Sequence, residues 1–229
     1  MILAAGLGTR LKPLTNSKPK ALVNYQGSTL LDRSINFLIA QGIDEIIVNV
    51  HHFGDQIIKH LSKSKYNVPI HISDESSKLL DTGGAIKNAS HFFNDDFLLY
   101  NVDVISEIDI QDLANYHKKS ESMVSLVVRD RETSRYLLFD ENLRMCGWEN
   151  RKSGERIIKR ESKTMNPLAF SGIHMINPSI FSKIPEEWEV FSLIDLYLLL
   201  CSDYRINAYL DETKIWLDIG KPEHLKHLS

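Results

Sequence analysis

The sequence predicts an α/β fold, a mostly parallel sheet held between helices with a small β-rich insertion. Three observations lead there. Short, near-continuous apolar runs, notably Met1 to Ala5, Glu45 to Val50 and Phe97 to Asn101, have the pattern of parallel strands covered on both faces. Segments between them repeat apolar residues at helical spacing, as Leu31, Ile35, Leu38 and Ile39 do. From Tyr136 to Arg160 the pattern changes to short strand-like pieces separated by charged turns, which reads as a β-meander beside the main sheet. The 229 residues are expected to form one domain, 1–229, with 134–165 as the insertion.

Composition narrows the function classes. With 43% hydrophobic and 25% charged residues, neither disorder nor a fibrous repeat is a candidate. The balance of 27 Lys plus Arg against 30 Asp plus Glu leaves a net charge of -3, so there is no global basic field for nucleic acid and any anion site must be local. Cys146 and Cys201 lie far apart without a C-x-x-C pair, the pattern of buried free thiols and not of a disulfide framework or zinc knuckle. The most apolar run, Leu193 to Cys201, is broken by Asp195 and is too short to span a bilayer. Met1 stands almost inside the first strand, where no signal peptide precedes it, so a cytoplasmic protein without membrane contact is expected.

Taken in order, Met1 to Ala5 is the first strand and runs into Gly6-Leu7-Gly8-Thr9-Arg10. Its glycines permit backbone conformations that a side chain would obstruct, and such a loop can aim N–H groups at an anion. Arg10, Lys12, Lys18 and Lys20 add up to four cations near one point, which suits a polyphosphate better than a neutral ligand. The plain alternative is a βα turn with a solvated basic face. Ser28 to Asp32 looks like a helix start, and that helix stops at Gly42. Glu45 to Val50 is a strand, Asp55 to Leu61 a short helix and Pro69 to Ser73 another strand. His51 and His52 are neighbours at a strand end and point to opposite faces, so a shared metal is disfavoured; a structural role is favoured over one in a ligand cleft.

A second glycine-rich turn, Leu80-Asp81-Thr82-Gly83-Gly84, opens a helical run through Phe92 and Phe93. A flat nucleobase or ribose could lie against that backbone. A helix N-terminus capped by Asp81 or Thr82 is the plain reading, and the two are compatible. Phe97 to Asn101 delivers Asp103 at its carboxyl end, where a carboxylate can hold a hard metal ion or simply close a surface turn. Asp109 to Lys119 is helical and Met123 to Arg129 a strand. Ala169 to Ile176 returns to the core and ends at Asn177-Pro178. Ser192 to Cys201 is a helix, and Ile206 to Leu210 and Lys214 to Asp218 are strands. The last of these places a second carboxylate, Asp218, close to Gly220.

In this order, A-A-G-x-G-T-R-L-x-P-L-T from Ala4 with Pro19-Lys20 behind it, D-T-G-G, N-V-D-V, F-S-G-I and W-L-D-I-G resemble the sugar-1-phosphate nucleotidyltransferase family over nearly the whole chain. D-T-G-G and F-S-G-I look most like its short single-domain uridylyltransferases. The resemblance implies a Rossmann-like mixed sheet and the reaction NTP + sugar 1-phosphate ⇌ NDP-sugar + pyrophosphate. UTP is the favoured nucleotide, and a hexose or N-acetylated amino-sugar 1-phosphate the acceptor. By position, it implies that Ala4, Ala5, Gly6, Gly8, Thr9 and Arg10 bind the nucleotide, with Arg10 on the departing β- and γ-phosphates. Lys20 would contact the phosphate under attack, Thr82, Gly83 and Gly84 the base and ribose, and Asp103 and Asp218 would bind Mg2+. Arg10, Lys20 and Asp103 are the implied catalytic set. The acceptor phosphate is already anionic, so positioning and charge neutralisation suffice without a general base.

The sequence departs from the family pattern in places. P-K-P-L-x-P is here Pro19-Lys20-Ala21-Leu22-Val23-Asn24, which keeps the lysine. A V-E-K-P-like segment has no clean match between Trp148 and Lys163. Glu149 and Lys159 are nearest, and with Ser171 and Gly172 they make up the expected sugar-phosphate set. Two other readings are a cytidylyltransferase acting on an alcohol phosphate such as phosphocholine, with Trp148 and Trp188 available to cage a quaternary ammonium, and a non-catalytic nucleotide-binding regulatory subunit. The second predicts loss of ligands that this sequence keeps. The chain stops soon after Asp218, so the β-helix or acyltransferase extension of bifunctional relatives is not expected.

Overall fold

The buried run Ile46–Val50 (β4) is the centre of the first part of the computed structural model, which describes residues 1–220. β4 pairs in parallel with β1 (Ile2–Leu3), Ile2 opposite Val48, and with β5 (Ile70–Asp74), Ile46 opposite Ile70. β1 also pairs in parallel with the end of β6 (Phe97–Asn101), Ile2 opposite Tyr100. A parallel strand is covered on both faces, and Ile46, Ile47, Val48 and Val50 meet that demand; Asn49 is the polar exception. Ahead of the first helix, a hairpin of β2 (Asn24–Tyr25) and β3 (Ser28–Thr29) turns at Gln26 and Gly27. Both turn residues have positive φ, as a two-residue hairpin turn requires. Thr29 caps α1 (Leu30–Ala40) by accepting from Asp32 N at 3.0 Å, and α1 buries Leu30, Leu31, Ile35 and Leu38. α2 (Gly54–Lys63) buries Ile57. β7 (Val104–Ser106) pairs antiparallel with β14 (Trp216–Asp218). These residues, 1–80 with 100–107 and 213–220, form one unit.

The second unit comprises 81–99 and 108–212. It contains α3 (Asp81–Asn88), the start of β6 and α4 (Ile110–Lys119). Its centre is β8 (Val124–Arg129), antiparallel to β12 (Asn166–Ile176) and parallel to β13 (Ile206–Leu210). β9 (Arg135–Phe139), β10 (Met145–Asn150) and β11 (Glu155–Ile158) form an antiparallel meander joined to β12 through Leu137 opposite Leu168. α5 (Leu193–Leu200) starts at Ser192, whose Oγ accepts from Asp195 N at 3.1 Å.

The mixed sheet architecture expected from the sequence is present, parallel through the first unit and largely antiparallel in the second. Some bounds move. Only Ile2 and Leu3 of the expected Met1 to Ala5 strand hold ladder positions, because Ala4 and Ala5 turn their N–H groups to a side chain instead. The helix after Gly84 ends at Asn88 and is followed by a separate turn, Ser90–Phe92. The final strand begins at Trp216 and not at Lys214. His51 takes the structural role, its Nδ1 2.6 Å from Glu75 O. Both cysteines are buried free thiols. Among the described residues no helix is long and apolar enough to cross a membrane.

Candidate active site

Past Leu3 the chain leaves the ladder. Ala4 and Ala5 stay buried and donate their N–H groups to Asn49 Oδ1 at 2.6 and 3.3 Å, so these two donors are not open to a ligand. From Gly6 to Arg10 the backbone reaches the surface, and none of its N–H groups has a hydrogen-bond partner among the described residues. Gly8 adopts φ 62, ψ 24, the left-handed region, and a Cβ there would lie 2.9 Å from Thr15 Cγ2 and 3.1 Å from Lys20 Cβ. The loop is fixed from beneath. Gly8 O accepts from Leu11 N at 2.9 Å and from Thr15 Oγ1 at 2.8 Å, with Leu11 and Thr15 both buried. Consecutive open N–H groups on a fixed loop can cradle an anion, and Gly6, Gly8, Thr9 and Arg10 all lie on this one.

Lys20 opens the turn Lys20–Leu22, and its ammonium makes an ion pair with Asp103, both side chains largely buried. Asp103 sits in the tight connection between β6 and β7. The register of β7 with β14 puts Asp218 opposite Val104, and Ile219 N donates to Asp103 O at 2.9 Å, so local pairing forces the two carboxyl groups into hydrogen-bonding contact. Burial works against the charge on Asp103, but the Lys20 ammonium and the hydrogen bonds from Lys20 and Asp218 hold its carboxyl below the usual carboxylate range. Asp218 goes the other way. Burial and then repulsion from Asp103 push its carboxyl up, against the pull of Lys20 and Arg10.

Gly220 completes this cluster. A Cβ on it would lie 2.5 Å from Lys20 Nζ, 2.7 Å from Asp103 Oδ2 and 2.9 Å from Asp218 Oδ1, so the space in front of the carboxylates exists because residue 220 has no side chain. Gly220 N also donates to Asp218 Oδ1 at 2.9 Å. Two adjacent hard oxygen donors that face a side-chain-free space fit a divalent cation. No group of three or more His, Cys, Asp or Glu that could hold a metal ion occurs among the described residues.

The other sequence-derived candidates lie in the second unit. Gly83 N and Gly84 N both donate to Phe191 O, at 2.9 and 3.4 Å, and a Cβ on Gly83 would overlap the Phe191 ring. Thr82 Oγ1 accepts from Leu193 N at 3.0 Å, and Thr82 N donates to Asp81 Oδ1 at 2.6 Å. The donors of this turn are therefore engaged inside the unit, and its glycine serves close packing. Glu149 pairs with Arg151 at 2.8 Å and Arg156 at 3.8 Å, whereas Lys159 is exposed. Ser171 is buried, and Gly172, at φ 82, forms the β12 bulge where the register with β8 shifts. A cavity of about 500 Å³ opens in this unit, with Tyr136, Trp148, Ile157 and Phe170 beside Asp81 and Asp195.

Sequence reading missed Asn49 and Glu75. Asn49 Nδ2 donates to Glu75 Oε1 at 2.7 Å, and Glu75 is itself buried. The available signal was a lone Asn inside an otherwise apolar strand.

A family model described as nucleotidyl transferase matches residues 1–229. The chain is 31% identical over 235 residues to N-acetylmuramate alpha-1-phosphate uridylyltransferase of Caulobacter vibrioides, covering 97% of this chain and 92% of that protein. It is 30% identical to mannose-1-phosphate guanyltransferase of Aspergillus oryzae, covering 97% of this chain and 61% of that protein. Among solved structures, HddC from Yersinia pseudotuberculosis is similar with a TM-score of 0.80 and 26% identity, covering 99% of this chain and 96% of that one. The same protein complexed with GMP-PN gives 0.79 and 25%, with the same coverage.

Proposed function

This chain belongs to the nucleotidyl transferase family, and on that premise we propose that it transfers a nucleoside monophosphate from an NTP to a sugar 1-phosphate, releasing pyrophosphate. UTP is the favoured donor and an N-acetylated amino-sugar or hexose 1-phosphate the favoured acceptor. The observation that carries the reading is one unit that holds an open N–H loop, a lysine against that loop and a carboxylate pair against the lysine.

The reaction needs little covalent help. An anionic oxygen of the sugar 1-phosphate bonds to the α-phosphorus, the bond from that phosphorus to the α–β bridging oxygen breaks, and pyrophosphate leaves with the electron pair. The open N–H groups from Gly6 to Arg10 hold the triphosphate. The exposed Arg10 guanidinium neutralises the departing β- and γ-phosphates, and Lys20 meets charge at the phosphate under attack. Asp103 and Asp218 would hold Mg2+, which when bound screens the repulsion between the two anionic substrates. A cavity within the second unit, lined by Tyr136, Trp148 and Phe170 beside Asp81 and Asp195, has the mixed apolar and polar lining of a small-molecule pocket.

Similarity to the uridylyltransferase over 92% of that protein supports uracil as the base. A guanylyl reading draws support from the mannose-1-phosphate relative and from the neighbour complexed with GMP-PN. Four NTPs tested against a panel of sugar 1-phosphates and phosphocholine, read by pyrophosphate release with ample Mg2+, decide the matter. UTP with an N-acetylated amino-sugar or hexose 1-phosphate is expected to be the best pair. GTP with mannose 1-phosphate as the best pair would move the activity to guanylyl transfer. CTP with phosphocholine would make it a cytidylyltransferase, and NTP binding without turnover a regulatory subunit.

A further inference from the structure

β1 is only two residues long, so the strand that leads into the nucleotide loop loses its ladder partners at Ala4, immediately before the loop begins. A side chain takes over. Asn49 stands opposite Leu3 in the β1–β4 register, is buried, and its Oδ1 accepts from both Ala4 N and Ala5 N. An amide can be turned either way, and only one orientation presents oxygen to those donors. Glu75 selects it. Its Oε2 accepts from Leu80 N and its Oε1, at 2.7 Å, accepts from Asn49 Nδ2, which leaves Oδ1 to face the loop.

Glu75 is also a junction. Its N–H donates to Val50 O at 2.8 Å, its carbonyl accepts from Lys78 N at 3.0 Å, and its Oε2 accepts from Leu80 N at 3.2 Å. One buried acid thus holds the end of β4, the amide that carries the nucleotide loop, and the residue directly before the Asp81-Thr82-Gly83-Gly84 turn. We infer that Asn49 and Glu75 are positioning residues for the nucleotide, setting the angle at which the Gly6–Arg10 cradle leaves the sheet; this rests on the function proposed above. Neither side chain need touch the substrate.

Exchanging donor and acceptor tests the pair. Asn49→Asp puts two carboxylates face to face without a donor, and Glu75→Gln leaves an amide unable to accept from both Asn49 and Leu80. The double variant restores complementarity. The new carboxylate at 49 accepts from Ala4, Ala5 and the new amide at 75, whose oxygen still accepts from Leu80. Each single variant is expected to raise the KM and the calorimetric Kd for the NTP by about tenfold or more while leaving kcat within about threefold, the scale of a lost buried hydrogen bond. The double variant is expected to return both constants to within about threefold of the parent.

Thermal melting is measured in parallel. Single variants that melt earlier but keep the parental KM and Kd would overturn the inference, as would a well-folded double variant with NTP affinity still tenfold weaker. If neither single variant folds, the double variant alone decides by the same criterion. Calorimetric NTP binding is read without turnover, so a parent that binds NTP but releases no pyrophosphate counts against the proposed reaction and not against this pair.

Discussion

Gly6-Leu7-Gly8 leads into a short helical turn and Thr82-Gly83-Gly84 lies in the first turn of α3, and the two segments use their donors differently. In the first, among the described residues, the N–H groups from Gly6 to Arg10 have no partner and nothing lies within 4 Å of a Cβ built on Gly6. In the second, both glycine N–H groups are satisfied by Phe191 O, and the Phe191 ring fills the space a side chain would need. A glycine pair therefore marks either backbone presented to a ligand or backbone pressed against a neighbour. What separates the cases is where the donors point, and that is set by residues remote in sequence.

The largest expected effect concerns the carboxylates beside the first turn. Asp218→Asn should lower kcat by at least about 10²–10³, the scale of losing one preorganised electrostatic group. It should also stabilise the protein. Asp218 has a folded-state pKa raised above its unfolded value, so its contribution is fully present below the unfolded pKa and is lost as pH rises through the folded one. A neutral amide escapes that loss. We expect the variant to be more stable than the parent at pH 7 in urea melts, with the gap closing towards pH 3. A variant less stable than the parent at pH 7 would show that the carboxylate pair is not under mutual repulsion.

Gly83→Ala comes next and should act on stability. Its methyl group would overlap the Phe191 ring and approach Phe191 O to 2.9 Å, and overpacking of this kind costs about 1–3 kcal/mol. Combining it with Phe191→Leu should recover part of that loss in the same urea melts. Equal destabilisation with and without the second change would mean that the ring is not the reason for glycine. Gly8→Ala is intermediate, since its φ of 62 alone costs an alanine roughly 1–2 kcal/mol. The displaced loop should also weaken NTP binding, measurable by calorimetry.

These contrasts show what could be read from the chain. The strands β4, β6 and β8 and the meander follow from apolar continuity and charged turns, which are local properties. Asp103 and Asp218 were legible as carboxylates at strand ends, and their union follows from the single pairing of Asp218 with Val104. The engagement of Gly83 by Phe191 was not legible, because nothing near Gly83 announces a ring arriving from another segment. Asn49 and Glu75 escaped for a related reason. Each looks like an isolated polar residue, and only the fold shows that one orients the other.

The smallest structural effect is expected at Gly6, where the comparison is sharpest. With nothing within 4 Å of a Cβ and no positive φ, Gly6→Ala should leave stability within about 0.5 kcal/mol of the parent. On the proposed function, the same methyl group would stand beside the N–H groups that a phosphate is expected to approach. A severalfold rise in NTP KM at unchanged melting temperature is therefore the signature of a presenting turn, and unchanged KM with earlier melting that of a packing turn. If Gly6→Ala gave the second signature, the open donors from Gly6 to Arg10 would have to be assigned to water and the phosphate site sought elsewhere in the first unit.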